Sequence, residues 1–298
     1  MDRDIFIFGE VLFDVFESSE EKLGGAPFNV AWHLKGFGLE PLFISSIGYD
    51  ARGEKVLSLM EKWQLNTVGV IKIKDYQTGV VNVYIDRKGP TFEIPYNQAF
   101  DHISLEDNRI KLQTKNSIPF LYHGSLALRS IDNMNTINKI INILNPEIFI
   151  DINLRSPWWE VSKLQSIIKD ADYLKLNNYE IFDLFHINIT KESLQQLCEQ
   201  YDLECIILTK GEEGASLFTK NGNFLHSRKE LDKKLIDTVG AGDAFAAVSI
   251  FGLLNNWEYK KILKCAVDFA AYVCTIRGAL PDSINVYTDF LNKWKKGG

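Results

Sequence analysis

Short runs of β-branched and aromatic residues recur along this chain, separated by segments long enough for a helix. The clearest runs are IFIF (5–8), PLFISSIG (41–48), EIFIDIN (147–153) and CIILT (205–209). Such runs are typical of strands that are buried on both faces of a parallel sheet. The segments between them, for example 130–144 and 191–201, place apolar residues at helical spacing. The alternation predicts an α/β fold, an αβα sandwich with a mostly parallel central sheet.

One region departs from this alternation. Residues 67–97 alternate apolar and polar positions, contain turn residues and leave no room for a helix, which indicates consecutive antiparallel strands. Together with VLFDVF at 11–16, they can form a small sheet that stands off the main one and acts as a lid. An extra sheet edge or a dimer contact would explain the same pattern. We expect one domain over residues 1–298 with this β lid, and a homodimer through the lid remains open.

The charge balance narrows the class of partner. The formal net charge is −6, and the one basic run, KWKK, is near the C-terminus. Nucleic acid and anionic lipid both require clustered Lys and Arg, so neither is an expected partner. The chain has neither a membrane-length apolar run nor an N-terminal run long enough for secretion. The four cysteines show no Cys-x-x-Cys spacing. We therefore predict a cytoplasmic protein with buried thiols and small-molecule partners.

Residues 237–247 read DTVGAGDAFAA, where small residues lead into an apolar, helix-like stretch. A helix start presents unpaired backbone N–H groups and the positive end of the helix dipole, so it can bind an anion. Gly240, Ala241 and Gly242 have little bulk, which lets a phosphate approach these amides. Asp243 then falls in the first helical turn. Beside a bound phosphate it would serve as a general base that takes a proton from a substrate hydroxyl.

Helix capping is the alternative for Asp243, but a cap needs no run of small residues before it. The stretch does not extend to G-x-G-x-x-G because Phe245 occupies the place of the last glycine, and no P-loop motif occurs. No H-E-x-x-H motif is present to hold zinc, and the five histidines are scattered. We expect each histidine to be structural.

The stretch at 237–247 resembles the C-terminal signature of the ribokinase-like sugar kinases, also called the phosphofructokinase B family. Further stretches fit other motifs of that family in the family's order: GGAPFNVAWHLKGFG (24–38), GYDARG (48–53), DINLR (151–155), NNYE (177–180) and TKGEEG (209–214). Each is weak alone, but together they span essentially the whole chain. The resemblance implies a ribokinase-like core with a β lid, and transfer of the γ-phosphate of Mg-ATP to a sugar hydroxyl.

By this resemblance Asp243 is the catalytic base, and Gly240, Ala241 and Gly242 form the anion hole. The residues it places on the nucleotide side are Lys175, Asn177, Glu180, Thr209, Gly211, Gly214 and Gly278. Asn177 and Glu180 would organise Mg²⁺ through water, which suits a hard cation that keeps its hydration. Many relatives bind K⁺ beside the anion hole, where Asp237 would hold it. Helix capping by Asn177 and turn roles for the glycines are the alternatives.

The resemblance also implies a sugar site that contains Asp14, Gly25, Asn29 and Arg155. Carboxylate and amide groups can bind neighbouring hydroxyls, and glycine permits close approach. The guanidinium of Arg155 can bind two oxygens of a phosphate or of a polar substrate end. Capping or turn roles are the alternatives for Asp14 and Asn29.

The stretches GEVLFDVF, GGAPFN, TGVVNVYID and HGSLALRS look most like the bacterial fructokinases, which make fructose 6-phosphate. The prediction is therefore fructose as the substrate. A 2-keto-3-deoxygluconate kinase shares the framework and is the runner-up, and ribokinase is a further alternative. A catalytically silent sugar sensor would be expected to lose Asp243 or a glycine before it. A dinucleotide-dependent oxidoreductase would carry a glycine fingerprint after the first strand, where none occurs.

Overall fold

The computed structural model describes residues 3–86, 89–104, 117–230 and 234–296. In chain order, the strands within these ranges are β1 (Ile5–Phe8), β2 (Leu12–Phe16), β3 (Glu21–Gly24), β4 (Pro41–Gly48), β5 (Val70–Ile73), β6 (Gly79–Asp86), β7 (Gly89–Glu93), β8 (Phe120–Gly124), β9 (Glu147–Asp151), β10 (Tyr173–Asn177), β11 (Cys205–Thr209), β12 (Ala215–Thr219) and β13 (Phe224–Ser227). The helices are α1 (Ala26–Gly36), α2 (Ala51–Lys62), α3 (Ile131–Leu144), α4 (Val161–Ile168), α5 (Asn178–Phe185), α6 (Lys191–Tyr201), α7 (Ala241–Leu254), α8 (Tyr259–Val273) and α9 (Ile284–Lys296).

The large sheet has the strand order β13-β12-β11-β10-β9-β8-β1-β4-β5. Neighbouring strands from β11 through to β5 pair in parallel, and β12 and β13 extend the edge as antiparallel strands. The four apolar runs that were predicted as buried strands form β1, β4, β9 and β11. The mostly parallel central sheet predicted from the sequence is therefore confirmed.

Two hydrophobic clusters cover the two faces of this sheet. The alternation within β1 shows the division, because Ile5 and Ile7 belong to one cluster whereas Phe6 and Phe8 belong to the other. Buried residues of α1, α2, α7, α8 and α9 fill the first cluster, and those of α3 to α6 fill the second. The αβα layering is confirmed, since strands such as β1, β8, β9 and β11 contribute side chains to both helical layers.

The small sheet has the order β3-β2-β6-β7. Its strands and their pairing correct the sequence prediction at three points. The part of 67–97 that forms β5 pairs in parallel with β4, so it belongs to the large sheet, and β6 pairs in parallel with β2. The strand β3, which the sequence analysis did not identify, pairs antiparallel with β2. A short apolar run such as VIKI fits either sheet, and only the tertiary pairing decides between them.

Several strands of the large sheet end in polar residues at one edge. Asp151 ends β9, Asn177 ends β10 and Thr209 ends β11, while Glu10 follows β1 by two positions. The carboxyl ends of parallel strands meet at the same edge, where ligand sites of open α/β sheets are found. Within the described ranges, no helix combines the length and apolarity needed to cross a bilayer.

Candidate active site

A cavity of about 940 Å³ lies at this carboxyl edge, between the loops of the large sheet, the start of α7 and the small sheet. Its size is that of a small-molecule site. The predicted site residues that line it are Asp14, Gly25, Asn29, Arg155, Gly240, Gly242, Asp243 and Gly278. The predicted residues outside its lining are Lys175, Asn177, Glu180, Thr209, Gly211, Gly214, Asp237 and Ala241. The predicted sugar side and anion hole thus share one cavity, and most of the predicted nucleotide side lies beyond it.

The start of α7 has the geometry that its sequence predicts. Gly240 is the N-cap residue, with a left-handed φ of 77°, and Asp243 lies in the first turn. A Cβ on Gly240 would collide with Ala279, so glycine is required here. The amide of Ala241 donates a hydrogen bond to the carbonyl of Thr238. The amides that follow it in the first turn have no partner within the helix and point out of its N-terminal end. The local structure therefore offers an anion site with a carboxylate beside it.

Asp243 is held by Asn29 of α1. Asn29 Nδ2 donates a hydrogen bond of 2.7 Å to Asp243 Oδ2. Burial raises the pKa of Asp243 to about 6, against the opposing effect of the Asn29 hydrogen bond. Asn29 Oδ1 is buried and has no hydrogen-bond partner among the described residues. The pair thus combines an oriented carboxylate of raised basicity with a free acceptor.

Asp14 and Arg155 line the same cavity as Asp243. Burial raises the pKa of Asp14 to about 6, and the positive charges of Arg155 and Lys22 oppose that rise. The guanidinium of Arg155 donates to the carbonyl of Leu154, and no salt bridge to it occurs within the described ranges. Its remaining donors are therefore available to a ligand in the cavity.

Gly25 shapes the neighbouring loop at the start of α1. Its φ is 106°, and a Cβ at this position would lie 2.6 Å from the carbonyl oxygen of Glu10. A side chain is excluded by both the backbone conformation and the space. The glycine thus brings α1, with Asn29, against the segment that follows β1.

Glu10 lines the cavity and was not identified as a site residue from the sequence. Only 3% of the residue is exposed. Burial raises the pKa of Glu10 to about 7, and Arg155 opposes this rise. The sequence did contain a signal for this residue. Glu10 comes directly after a buried strand and a glycine, and ligands bind at the carboxyl ends of such strands.

The predicted nucleotide side is arranged around the ends of β10 and β11. Asn177 and Thr209 are partners across these two strands. Asn177 caps α5, because its Oδ1 accepts from the amides of Tyr179 and Glu180 at 2.8 and 3.0 Å. Capping, the alternative named for Asn177, is thus observed, and a role toward the nucleotide stays a prediction.

Glu180 completes this capping box and is buried. Its two carboxylate oxygens accept from the amides of Asn177 and Leu154 at 2.7 and 2.9 Å. Burial raises the pKa of Glu180, and the charge of Asp151 adds to the rise. Each oxygen retains a lone pair, which suits contact with a water molecule of a hydrated cation better than direct coordination.

Lys175 lies below the start of α7. Its ammonium binds both carboxylate oxygens of buried Asp151, at 2.7 and 2.8 Å. A Cβ placed on Gly242 would be 3.6 Å from Lys175 Nζ. A positive charge therefore lies next to the predicted anion hole, although Asp151 partly neutralises it. Asp151 is a second residue that the sequence analysis missed, and its place at the end of β9 was the available signal.

Asp237 connects two segments beside the anion hole. Its carboxylate accepts from the amides of Val239 and Gly278, each at 3.1 Å. Asp237, the residue predicted to hold K⁺, is thus close to the backbone of Val239 and Gly278. In the described parts of the chain, no cluster of three or more His, Cys, Asp or Glu side chains could hold a metal ion.

The turn after β11 contains Gly211 and Gly214, both with positive φ. A Cβ on Gly214 would collide with the Ser227 carbonyl, whereas the space beside Gly211 is open. Gly214 therefore has a structural requirement for glycine. Gly211 leaves room for a ligand at the predicted nucleotide side.

Comparisons with known proteins identify the family and the fold. The family profile described as pfkB family carbohydrate kinase matches residues 5–285. An ATP-dependent 6-phosphofructokinase from Thermoanaerobacterium thermosaccharolyticum is 26% identical over 303 residues, which cover 96% of this chain and 92% of that protein. A protein named probable fructokinase-5 from Arabidopsis thaliana is 26% identical over 307 residues, with 93% of each chain covered.

A solved structure shows the same fold. It is a fructokinase double mutant from Vibrio cholerae O395 in a form with bound fructose, ADP and potassium ion. The TM-score is 0.82 at 21% identity, and the match covers 97% of this chain and 98% of that one. The chain thus has the ribokinase-like α/β fold that the sequence motifs imply.

Proposed function

The chain belongs to the pfkB family of carbohydrate kinases, and we propose that it transfers the γ-phosphate of ATP to a hydroxyl of fructose, forming fructose 6-phosphate. The observation that carries the proposal is the position of Asp243. It lies in the first turn of α7, within the cavity, and Asn29 orients it. A carboxylate in this place can accept the proton of a sugar hydroxyl while the adjacent helix start binds the phosphate.

Each group at the helix start has a distinct part in this reaction. Asp243 takes the proton from the attacking hydroxyl, and the amides that follow Gly240 stabilise negative charge on the transferring group. Arg155 binds oxygens at the open side of the cavity. A base of this kind contributes about 10²- to 10⁴-fold to the rate.

ATP with Mg²⁺ would supply the phosphoryl group and the charge neutralisation that its transfer requires. The open space beside Gly211 and the absence of a side chain at Gly242 fit the phosphates and the nucleotide. We propose that Glu180 and Asn177 bind the hydration shell of Mg²⁺. We further propose K⁺ beside Asp237, whose carboxylate already orders the loop next to the anion hole.

The charges in the cavity support a neutral sugar as the acceptor. Glu10, Asp14 and Asp243 bring three carboxyl groups to its lining, opposed by Lys22 and Arg155. A further pair at the mouth, Arg277 and Glu20, is joined at 3.0 Å and is neutral overall. A phosphorylated acceptor would add about two negative charges close to these carboxylates. Fructose is therefore a better fit than fructose 6-phosphate.

The runner-up, 2-keto-3-deoxygluconate, carries one carboxylate. The available donors of Arg155 are the feature that would favour it, because a guanidinium binds a carboxylate in a bidentate fashion. Ribose is a smaller neutral alternative. These acceptors differ in charge and size, so a direct comparison of turnover separates them.

We also propose that the small sheet closes over the sugar. Strands β2, β3, β6 and β7 all contribute residues to the cavity lining, among them Asp14, Lys22, Val81 and Phe92. The same sheet exposes Tyr84 and Phe92 to solvent. Such aromatic surface supports the predicted homodimer through the lid. Closure predicts that sugar protects this sheet from hydrogen exchange.

The test of the function is ATP consumption with a panel of acceptors: fructose, fructose 6-phosphate, 2-keto-3-deoxygluconate, ribose, glucose and adenosine. We expect the highest kcat/KM with fructose and phosphate on its O6, identified by phosphorus and proton NMR. A higher kcat/KM with another sugar would replace fructose as the substrate. No acceptor-dependent ATP consumption with any sugar would overturn the kinase proposal itself.

A further inference from the structure

The position of Glu10 supports an inference about sugar recognition, which rests on the proposed function. The residue follows β1 at the carboxyl edge of the sheet and lines the cavity. Its backbone is fixed, because its carbonyl lies directly against Gly25 at the start of α1. The side chain is thus held at the floor of the cavity, close to the loop that presents Asn29.

The carboxyl group of Glu10 accepts a hydrogen bond from the residue's own backbone amide, which opposes the rise of its pKa. Its Oε2 is buried and has no hydrogen-bond partner among the described residues. Nearby Arg129 binds both oxygens of Asp101 at 2.7 Å through Nε and Nη2. Its Nη1 is buried and makes no hydrogen bond to Glu10 or to any other described residue. A buried carboxyl oxygen without a partner destabilises a fold, so its presence in a cavity indicates contact with a ligand.

The type of ligand follows from the neighbours. Glu10 shares the cavity with Asp14 and Asp243, and the charge of Asp243 raises the pKa of Glu10 further beyond the effect of burial. An anionic ligand group beside three carboxyls is disfavoured. A neutral hydroxyl that donates a hydrogen bond would satisfy the free oxygen. Asp243 is the predicted base for the reacting hydroxyl, which leaves Glu10 for a different hydroxyl of the sugar.

We propose that Glu10 is a specificity-determining residue that accepts a hydrogen bond from a non-reacting hydroxyl of the sugar. The nucleotide makes no contact with it in this arrangement. Loss of the side chain therefore weakens sugar use and leaves ATP use intact. The effect is confined to sugars that carry the hydroxyl in question.

The experiment compares Glu10→Ala and Glu10→Gln with the parent enzyme, using fructose and its monodeoxy analogues. For Glu10→Ala we expect kcat/KM for fructose to fall about 10- to 100-fold, the range for a hydrogen bond to a charged group. The KM for ATP should stay within about twofold. One monodeoxy analogue should be as poor for the parent as for Glu10→Ala, because it lacks the hydroxyl that Glu10 binds. Glu61→Gln, on the exposed surface of α2, is the matched control.

A thermal unfolding scan and calorimetric titration of each sugar without ATP give readouts independent of turnover. If Glu10→Ala lowered kcat/KM by the same factor for fructose and for every monodeoxy analogue, the role of Glu10 would be overturned. Unchanged kcat/KM in Glu10→Ala would also overturn it. Both outcomes leave the kinase proposal intact. A parent protein that neither binds nor phosphorylates any sugar overturns the proposed function and this inference together.

Discussion

Asn29 and Asp243, which are 214 positions apart in the sequence, meet at 2.7 Å where α1 and α7 approach each other. The hydrogen bond fixes one carboxylate oxygen, so the other oxygen has a defined direction. It also stabilises the charged form of Asp243 and thereby limits the rise of its pKa that burial causes. The contact connects the predicted sugar side of the cavity with the predicted phosphate side.

Replacement of Asp243 by Asn is the first test of this relationship. Asparagine keeps the size of the side chain but cannot accept the proton, so kcat should fall by about 100-fold or more. The dissociation constant of ATP, measured by calorimetry, should change by less than about twofold. Asp289→Asn, an exposed position on α9, serves as the control. Turnover of Asp243→Asn within a few-fold of the parent would remove Asp243 from the role of base.

The pH dependence of kcat/KM follows from the same group. A general base acts in its charged form, and burial raises the pKa of Asp243 to about 6. Activity should therefore fall as the pH decreases through about 6. Asn29→Ala removes the hydrogen bond that lowers this pKa, so its acidic limb should move to higher pH. Glu10, with a pKa of about 7, titrates in the same region, and the profile of Glu10→Gln separates the two contributions.

At the start of α7, alanine in place of Gly240 and alanine in place of Gly242 should differ in their effect on stability. Gly240 has a φ of 77°, and a Cβ there would collide with Ala279, so Gly240→Ala should lower the free energy of unfolding by at least about 1–2 kcal/mol. Gly242 is helical, and a Cβ there would meet Lys175 Nζ at an ordinary 3.6 Å. Gly242→Ala should therefore fold as stably as the parent.

The methyl group of Gly242→Ala would instead occupy the approach to the helix amides. We expect a loss of about 100-fold in kcat, comparable to the loss of one donor of an oxyanion hole. Urea unfolding and steady-state kinetics on both variants give the comparison. Full activity in a stable Gly242→Ala protein would show that the phosphate does not bind at these amides.

The sequence could predict this site where the structure depends on neighbouring residues in the chain. A glycine turn before an apolar helix fixes the start of α7, and the amphipathic or apolar runs fix the strands and helices around it. Which strands pair with one another was harder to predict. The run VIKI carries no information on whether it joins the large or the small sheet, and β3 (EKLG) has one large apolar residue and no alternating pattern. The place of Asp151 depended on which strands are neighbours and on its pairing with Lys175. That of Glu10 depended on the free Oε2. These are properties of the folded chain.

The stability of the fold should carry a signature of Glu10 that does not depend on catalysis. Burial raises the pKa of this carboxyl from 4.5 to about 7. Below about pH 4.5, both the folded and the unfolded chain hold the proton. Between about 4.5 and 7 the unfolded chain releases it while the folded chain retains it, so rising pH favours unfolding by up to about 3 kcal/mol in total. Above about 7 the effect is constant.

Glu10→Gln removes this proton and its pH dependence. Its free energy of unfolding, relative to that of the parent, should therefore rise between about pH 4.5 and 7 and then level off. Asp14 and Asp243 also have raised pKa values, but they are present in both proteins and largely cancel in the difference. Urea unfolding at pH 4.5, 6 and 8 measures the effect, with Glu61→Gln as the exposed control. A difference that does not change with pH would mean that Glu10 is either exposed to solvent or paired in solution, because solvent or a partner would return its pKa toward the ordinary value.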